Sequence, residues 1–429
     1  MPGTPSTTLG SRLPTHPLAL WGAFALVHGL IILFAFLGPG VPLGDVTFMY
    51  PVWMKPAFES GYVVGIDGPW VYPVLALVPL AIAGIAGFGL YGAMWLLMVI
   101  VLDAVAFGVL IGWGHRPARR HRAAWWWLAF LLLLGPIALT RVDSVATAIA
   151  IVALLFAAGR PRLASALLSI ATWIKVWPAA LIAALIVASR RRVDVLVAAL
   201  GTSVAVVAVV FVLGGGANLL SFVGDQTTRA LQIEAPISTP WIWAAAAGGG
   251  ARIVYDHGLN TFEVEGAGAQ AAAGLMTPLL FVALAGVLAL GARAAVRRAH
   301  FVVLFPPLAI ALVMALIVFN KVGSPQYMCW IAAPVILGVA YRGRRFMLPA
   351  VLALVLAALT QAIYPFLYDA LLRAHPLVVA LLTLRNLAEV ALLAWAALAL
   401  WRSASVPAGL RSGGVRWKTE SRPRQGATD

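Results

Sequence analysis

Long apolar segments, separated by short polar or basic connections, make up most of the chain. Many of them approach or exceed the roughly 17–25 residues that a helix needs to cross a bilayer. They predict helices over residues 19–37, 89–112, 124–140, 144–158, 163–175, 177–189, 193–213, 271–292, 301–319, 328–341, 346–364 and 377–401. A helix satisfies its own backbone hydrogen bonds in lipid, which an open strand does not. The pattern therefore predicts an all-α polytopic membrane protein with about 12 transmembrane helices.

The composition agrees with a membrane location and excludes a water-soluble globule. Of the 429 residues, 62% are hydrophobic and 10% are charged, whereas soluble proteins carry roughly 25% charged residues. The net charge of +15 is also found in nucleic-acid-binding proteins, but here the basic residues lie in short runs between apolar segments. That placement is typical of membrane topology signals. The expected partner is the lipid bilayer and no nucleic acid.

The basic runs predict the orientation of the chain in a bacterial cytoplasmic membrane. They lie at residues 115–122, 159–162, 190–192, 293–298, 341–345 and from Arg402 onward. With the helices counted as above they fall on one side, which the positive-inside rule assigns to the cytoplasm together with both termini. The chain is accordingly divided into a cytoplasmic tail (1–18) without a cleavable signal, a transmembrane domain (19–401) and a basic cytoplasmic tail (402–429) that is expected to be disordered.

The same count places the acidic connections on the outer side. These are the first outer loop (38–88), the long outer loop (214–270) and the shorter connections 141–143, 320–327 and 365–376. The stretch 72–87 is apolar enough to span weakly, but a crossing there would invert all later basic runs. It is therefore predicted to lie at the outer membrane face, and 240–250 remains ambiguous. Chemistry that uses carboxylates is expected outside.

Several charged residues stand at the predicted outer ends of helices. Asp45, just beyond the first helix, is either a solvated loop acid or a positioned base. Arg141 and Asp143 lie in a tight helical hairpin and form either an ordinary interfacial pair or a site in which Asp143 orients substrate and Arg141 contacts a phosphate. Lys175 separates two short helices. A cation at membrane depth is expensive and predicts function; the alternative is a snorkelling anchor.

A second group of candidates lies in the later connections. Gly323 and Pro325 predict a tight turn that fixes the polar side chains of Lys321, Ser324, Gln326 and Tyr327. His257 in the long outer loop is a weaker candidate base.

Other polar residues lie within predicted helices or show no pattern typical of a site. Arg385 and Glu389 are four residues apart in the last helix and are predicted to form a structural pair, and Asp103 is predicted to be a packing or capping acid. The histidine spacing predicts no metal site, and no cofactor is expected. Cys329 is predicted to be a buried thiol.

Four motifs occur in order along the chain: the acid in GDVTFMYPVW, the Tyr72-led helix WVYPVLALVP, the hairpin RVDSVATAIAIVALLFAAGRPRLASALLSIATWIKVWPA, and SPQY near residue 325. Together they resemble the GT-C superfamily of membrane glycosyltransferases. The resemblance is strongest to glycosyltransferase family 87, the polyprenyl-phosphate-mannose-dependent mannosyltransferases common in actinobacteria. The motifs extend over roughly residues 20–345.

The resemblance implies a GT-C-type fold and an inverting sugar transfer from a lipid-phosphate donor to a glycolipid or glycan acceptor. It implies that Asp45 is the general base on the acceptor hydroxyl and places Tyr72 in the site. Physical reasoning agrees, because nucleotide sugars are not available outside the cytoplasm and a sugar must arrive there on lipid. The departing phosphate needs fixed cations, for which Lys175, Arg141 and Lys321 are candidates.

Two other functions stay open at this point. A transporter or flippase for a lipid-linked saccharide uses the same cavity and cations, although the chain shows no internal repeat of the kind that many transporters have. A scaffold or assembly subunit with a degenerate site is the third possibility.

Overall fold

The computed structural model describes residues 16–115, 118–227 and 229–403. Residues 1–15, most of the predicted C-terminal tail (404–429) and part of the basic run at 115–122 lie outside the described residues. The expectation that the tail is disordered therefore stays a prediction.

Helices dominate the described part of the chain. Each of the twelve predicted apolar segments forms a helix within a few residues of its expected ends. The α-helices are α1 (Pro17–Leu37), α2 (Tyr50–Glu59), α3 (Leu77–Gly84), α4 (Tyr91–Ile111), α5 (Ala118–Leu134), α6 (Val142–Phe156), α7 (Pro161–Ile174), α8 (Pro178–Ala188), α9 (Arg192–Val212), α10 (Ser221–Thr227), α11 (Thr239–Ala246), α12 (Ala269–Val296), α13 (Phe301–Val318), α14 (Cys329–Arg342), α15 (Met347–Gln361), α16 (Tyr368–Leu372) and α17 (Pro376–Ser403).

Length and hydropathy confirm a helical multi-pass membrane protein. Among the described residues, seven helical stretches are long and apolar enough to cross a bilayer: Pro17–Leu37, Phe88–Gly114, Arg192–Val212, Ala269–Val296, Phe301–Val318, Pro325–Phe366 and Pro376–Ser403. α6 and α8 are apolar but shorter. The total of 12 crossings and the side on which the termini lie stay predictions.

One small sheet departs from the predicted all-helical architecture. Strands β1 (Arg252–Asp256) and β2 (Thr261–Glu265) form an antiparallel hairpin in the long loop, with Val254 opposite Glu263. The chain just before α11 extends this sheet, because Ile233 N donates to Phe262 O at 3.1 Å and Val264 N donates to Leu231 O at 2.9 Å. The segment 231–233 is thereby held rigidly against β2.

Burial separates a protein-filled centre from helices that face lipid. α13 is buried on nearly all sides, with 78% of its most apolar window enclosed, whereas the corresponding windows of α9 and α12 are only 11% and 17% enclosed. A helix that is apolar all round and yet exposed has no stable place in water. α9 and α12 therefore face the bilayer, and α13 lies in the core.

Two polar side chains inside the membrane region satisfy each other. His28 of α1 and Asp103 of α4 lie 3.3 Å apart and both are buried. The second ring nitrogen of His28, Nδ1, lies 2.9 Å from Phe24 O. The prediction that Asp103 is a packing acid agrees with this contact between two helices.

α7 and α8 form a hairpin with Lys175 at its tip. Arg162 near the start of α7 forms an ion pair of 2.8 Å with Asp194 at the start of α9, and α9 follows α8 after a short connection. The N-terminus of α7 and the C-terminus of α8 are therefore at the same end. Lys175 has extended backbone angles, φ −150° and ψ 134°, and Pro178 begins α8, so the helix is interrupted at the lysine.

Five connections meet at the end of the bundle marked by Lys175, called the site end below. Contacts described next join the chain after α1, the α5–α6 connection, the α7–α8 tip, the α13–α14 connection and the chain after α15. All five were predicted to lie on one side of the membrane. The structure brings them together at a single end.

Candidate active site

Asp45 is presented by a short helical turn directly after α1. Residues Asp45–Met49 form a π-helical turn that continues into α2. The carboxylate oxygen Oδ2 lies 3.1 Å from Nε of Arg141, and 35% of the Asp45 side chain remains exposed. The acid is therefore fixed at one oxygen and open to a ligand from the other side.

Arg141 holds Asp45 and three separate parts of the chain. Its guanidinium Nη1 donates to Pro42 O at 2.9 Å, to Thr140 O at 2.8 Å and to Thr140 Oγ1 at 3.1 Å. Nη2 donates to Tyr364 Oη at 3.4 Å. A planar guanidinium with all three nitrogens engaged is locked in orientation. Arg141 thus fixes the loop after α1 against the start of α6.

Asp143 is a buried acid in the first turn of α6. Trp330 Nε1 donates to its Oδ1 at 2.6 Å, and Lys175 Nζ lies 3.5 Å from its Oδ2, with 1% of the Asp143 side chain exposed. A negative charge is favoured at a helix N-terminus. Tyr50 Oη accepts a 3.1 Å hydrogen bond from Val142 N, which attaches α2 to the same turn.

Lys175 lies between Asp143 and the ring of Tyr72. Its Nζ is 4.4 Å from the centroid of that ring, a distance at which the ring face attracts a cation. Burial raises the pKa of the Tyr72 phenol, and the nearby carboxylates of Asp45 and then Asp143 raise it further. Asp45 pairs with Arg141, and Lys175 pairs with Asp143 two residues further along the chain, so Asp45 and Lys175 lie in one site.

An aromatic wall continues from Asp143 to the α13–α14 connection. Tyr327 stacks on Trp330 with ring centroids 4.1 Å apart, and Trp330 stacks on Trp177 at 5.8 Å. Tyr327 thus lies beside the site. Ser324 and Gln326 lie in the same tight turn, but among the described residues neither side chain has a hydrogen bond to Asp45, Arg141, Asp143 or Lys175.

Lys321 occupies a neighbouring position at the edge of the long loop. Its backbone oxygen accepts a 3.0 Å hydrogen bond from Gln232 N. Burial lowers the pKa of the Lys321 amine and the charge of Arg229 lowers it further, whereas Glu263 opposes both. Lys321 therefore interacts with the charges of Arg229 and Glu263, whereas Lys175 pairs with an acid of α6.

His257 is not brought to the site. It is exposed in the turn between β1 and β2, and its ring is edge-on to Tyr255 with centroids 4.9 Å apart. No contact between His257 and the residues around Asp45 occurs in the part of the chain that the structure describes.

A second charged cluster, here called the Arg385 cluster, consists of Glu234, Arg385, Asn386 and Glu389. Arg385 Nη1 lies 3.4 Å from Glu389 and 3.8 Å from Glu234, and its Nη2 donates to the backbone oxygen of Glu234. The predicted pair of Arg385 and Glu389 is present. Burial raises the pKa of Glu234 to about 7, a shift that Arg385 opposes and Glu389 reinforces.

Several residues of the site were not singled out from the sequence. They are Trp330, Tyr364, Thr140 and Arg229, which contact or act on Asp143, Arg141, Tyr72 and Tyr327. The available signal was position, because all four lie in or next to connections predicted to be outside. Nothing local to Tyr364 or Trp330 indicates a partner about two hundred positions away.

Comparison with known protein families supports the resemblance. Residues 70–249 match the model of glycosyltransferase family 87. This part of the chain is therefore similar to glycosyltransferase family 87. The family 87 match covers Tyr72, Arg141, Asp143, Lys175 and Arg229, whereas Asp45, Lys321 and Tyr327 lie outside the matched segment. No curated protein and no solved structure matches the chain.

The match to this family model supports glycosyltransferase activity, which uses a sugar donor and an acceptor. The geometry is compatible with that chemistry in two respects. A partly exposed carboxylate lies beside a fixed cation, and the aromatic rings of Tyr72 and Trp330, of the kind that pack against sugars, lie next to Lys175 and Asp143.

Proposed function

We propose that this chain transfers a glycosyl group from a polyprenyl-phosphate sugar to a glycolipid or glycan acceptor. The specific proposal is transfer of an α-mannosyl group. The reaction takes place at the outer face of the bacterial cytoplasmic membrane, in cell-envelope biosynthesis. The observation that carries the proposal is the partly exposed carboxylate of Asp45 at the site end. Arg141 holds one of its oxygens at 3.1 Å.

Asp45 acts as the general base in this reaction. Its carboxylate accepts the proton of the acceptor hydroxyl while that oxygen attacks the anomeric carbon of the donor sugar. The bond between the anomeric carbon and the phosphate oxygen breaks, and its electron pair leaves with polyprenyl phosphate. Attack from the face opposite the phosphate inverts the anomeric configuration.

Positive groups fixed in the site lower the activation barrier for departure of the phosphate. The phosphate gains negative charge as its bond to the sugar breaks, and preorganised positive groups stabilise that charge without reorganisation. Arg141 also keeps Asp45 in the orientation needed to receive a proton, because its guanidinium is locked by Pro42, Thr140 and Tyr364.

The decisive test replaces Asp45 by Asn in the purified protein. Transfer from polyprenyl-phosphate mannose is expected to fall by roughly 10²–10⁴, the usual contribution of a positioned base. The variant should still fold, because the Asn side chain keeps an oxygen that can accept from Arg141 Nε, but its unfolding temperature should fall somewhat because buried Arg141 loses its countercharge. The matched control is Glu59→Gln, an exposed acid in the same first loop. Wild-type turnover by Asp45→Asn rules out the assigned base.

Detergent micelles separate transfer from transport, because they remove the two membrane compartments. Release of polyprenyl phosphate from the donor in micelles excludes a pure transporter. Binding of the lipid-linked sugar without any release, for every acceptor offered, favours a flippase or a scaffold instead.

A further inference from the structure

The cations closest to Asp45 are already matched by carboxylates. Arg141 pairs with Asp45 at 3.1 Å and Lys175 pairs with Asp143 at 3.5 Å. All three guanidinium nitrogens of Arg141 also contact protein atoms. A donor phosphate placed here has to compete with these acids for the same charges, which weakens both cations as phosphate ligands.

Arg229 differs from both. Its Nε is buried without a hydrogen-bond partner, and no carboxylate of the described residues lies within 4.0 Å of its guanidinium. Its charge acts on the carboxylate of Glu263, which the amide of Ala230 already hydrogen-bonds. A half-buried guanidinium without an ion pair is costly unless a ligand supplies the negative charge.

Arg229 is joined to the site through Lys321 and Tyr327. Gln232, three residues beyond Arg229, donates to Lys321 O at 3.0 Å. The chain then runs from Lys321 through a tight turn to Tyr327, which stacks on the indole that donates to Asp143. The charge of Arg229 also acts on the phenols of Tyr72 and Tyr327.

The segment that carries Arg229 is rigidly mounted. Residues 231–233 pair with β2, and Arg385 donates to the backbone oxygen of Glu234. Gly323 packs so closely on this segment that a Cβ there would lie 2.1 Å from Ala235 N. The Arg385 cluster and Gly323 thus fix the distance between the Arg229 segment and the turn of Lys321.

We propose that Arg229, together with Lys321, binds the phosphate of the lipid-linked donor, whereas Arg141 and Lys175 position the two carboxylates. The proposal rests on the proposed function and assigns one part of that site. Arg229 and Lys321 against Glu263 leave one net positive charge, which complements the single charge of a phosphodiester. The leaving monoester gains further negative charge, so these contacts strengthen as the bond breaks.

The test compares binding of a polyprenyl monophosphate with binding of the uncharged polyprenol of the same length. The wild-type protein in detergent is expected to prefer the phosphate. Arg229→Gln should reduce that preference by about tenfold to a hundredfold, the range expected for a charged hydrogen bond. Arg229→Lys should retain part of it, because a lysine keeps the charge and loses the bidentate fork.

Arg252→Gln is the matched control. Arg252 lies on the same long loop but is exposed and already paired with Glu265 at 2.6 Å, so its loss should leave the preference unchanged. In the transfer reaction Arg229→Gln should raise KM for the donor and lower kcat, whereas the unfolding temperature of the ligand-free protein should be no lower than that of the wild type, because the variant removes an unpaired charge.

Two results overturn the proposal. One is an unchanged phosphate preference in Arg229→Gln, and the other is loss of the preference in Lys175→Met but not in Arg229→Gln. Either leaves the proposed function intact if the wild type still transfers sugar. A wild-type protein that neither prefers the phosphate nor transfers sugar overturns both.

Discussion

Two clusters of buried charge among the described residues differ in charge balance and in exposure. The site cluster (Asp45, Arg141, Asp143 and Lys175) has two acids and two cations, with 35% of Asp45 and 17% of Lys175 exposed. The Arg385 cluster has two acids for one arginine, and none of its charged side chains is more than 4% exposed. The open cluster is suited to exchange protons and ligands, whereas the sealed one joins α17 to the long loop.

The difference shows that burial of a carboxylate is not by itself evidence of a catalytic role. Both oxygens of Glu389 are buried without a hydrogen-bond partner within the described residues. Glu389 is buried from solvent, and among the described residues Arg385 is the cation that pairs with it. Exposure and charge balance together, rather than burial alone, are the reasons for proposing Asp45 as the catalytic acid–base group.

The largest expected contrast comes from the same change, acid to amide, in the two clusters. Asp45→Asn should lower transfer by roughly 10²–10⁴ in a protein that still folds, with some loss of stability because buried Arg141 loses its countercharge. Glu389→Gln should leave transfer close to wild type, because no substrate reaches it, while shifting the unfolding temperature. Parallel measurements of rate and unfolding decide this. A large rate loss in Glu389→Gln would place both clusters in the mechanism.

The next largest effect is expected on stability from Arg385→Met. Removing the arginine leaves Glu234 and Glu389 buried without a countercharge, which costs about 3–5 kcal/mol. The measurement is denaturant unfolding in detergent. The double variant Arg385→Met with Glu389→Leu should recover part of the loss, because one of the stranded acids is gone. No recovery would mean that Arg385 stabilises by packing alone.

The pH dependence of stability gives a third test. The pKa of Glu234 is raised from 4.5 to about 7, so the folded protein keeps a proton that the unfolded chain has released. Stability should therefore be highest below about pH 4.5 with respect to this group and should fall as the pH rises to about 7. Unfolding temperatures across this range measure the fall. Glu234→Gln should flatten this part of the profile, and an unchanged slope in the variant would contradict the assignment.

A smaller loss is expected where the site cluster is held by an aromatic side chain. Trp330→Phe keeps a ring for stacking on Tyr327 but removes the 2.6 Å hydrogen bond to Asp143. A hydrogen bond to a charged group contributes about 1.5–3 kcal/mol, and part of this should appear as slower transfer. Steady-state kinetics measure it. A variant with wild-type kcat and KM would show that Lys175 alone fixes Asp143.

The smallest effect is expected for the polar pair inside the membrane region. Asp103→Asn keeps an acceptor for His28, so stability should fall by only about 0.5–1.5 kcal/mol and transfer should be unchanged. Thermal unfolding and the transfer rate together test this. A rate loss without a loss of stability would connect the pair with α1 and α4 to catalysis.

The helices and the ordering of the site residues were predictable from the sequence. Apolar length sets each span, and prolines such as Pro161, Pro178 and Pro376 begin helices where expected because they need no backbone donor there. The sidedness of charge placed Asp45, Asp143 and Lys175 on one side of the membrane. The structure brings these three together, while their roles stay with the experiments above.

The remaining features depend on contacts that no local pattern encodes. Tyr364 reaches Arg141 across 223 positions and Trp330 reaches Asp143 across 187, distances over which periodicity carries no information. The β-hairpin was missed although TFEVE and RIVYD have β-forming residues, because residues 214–270 were interpreted only as a long polar outer loop. The sequence also does not show that Arg229 lacks an ion pair within the described part of the chain, because the partners of each cation are known only from the folded structure.

The length of the α7–α8 hairpin limits how deep in the bilayer its tip, Lys175, can lie. α7 has 14 residues and α8 has 11, which corresponds to about 21 Å and about 17 Å of helix. A hydrocarbon core is about 30 Å thick. A hairpin of this length that enters from one face turns back before it reaches the opposite surface. In the proposed reaction, a lipid-linked donor bound near Lys175 would therefore meet its acceptor within a recess of the bilayer, and its isoprenoid chain would not be drawn into water.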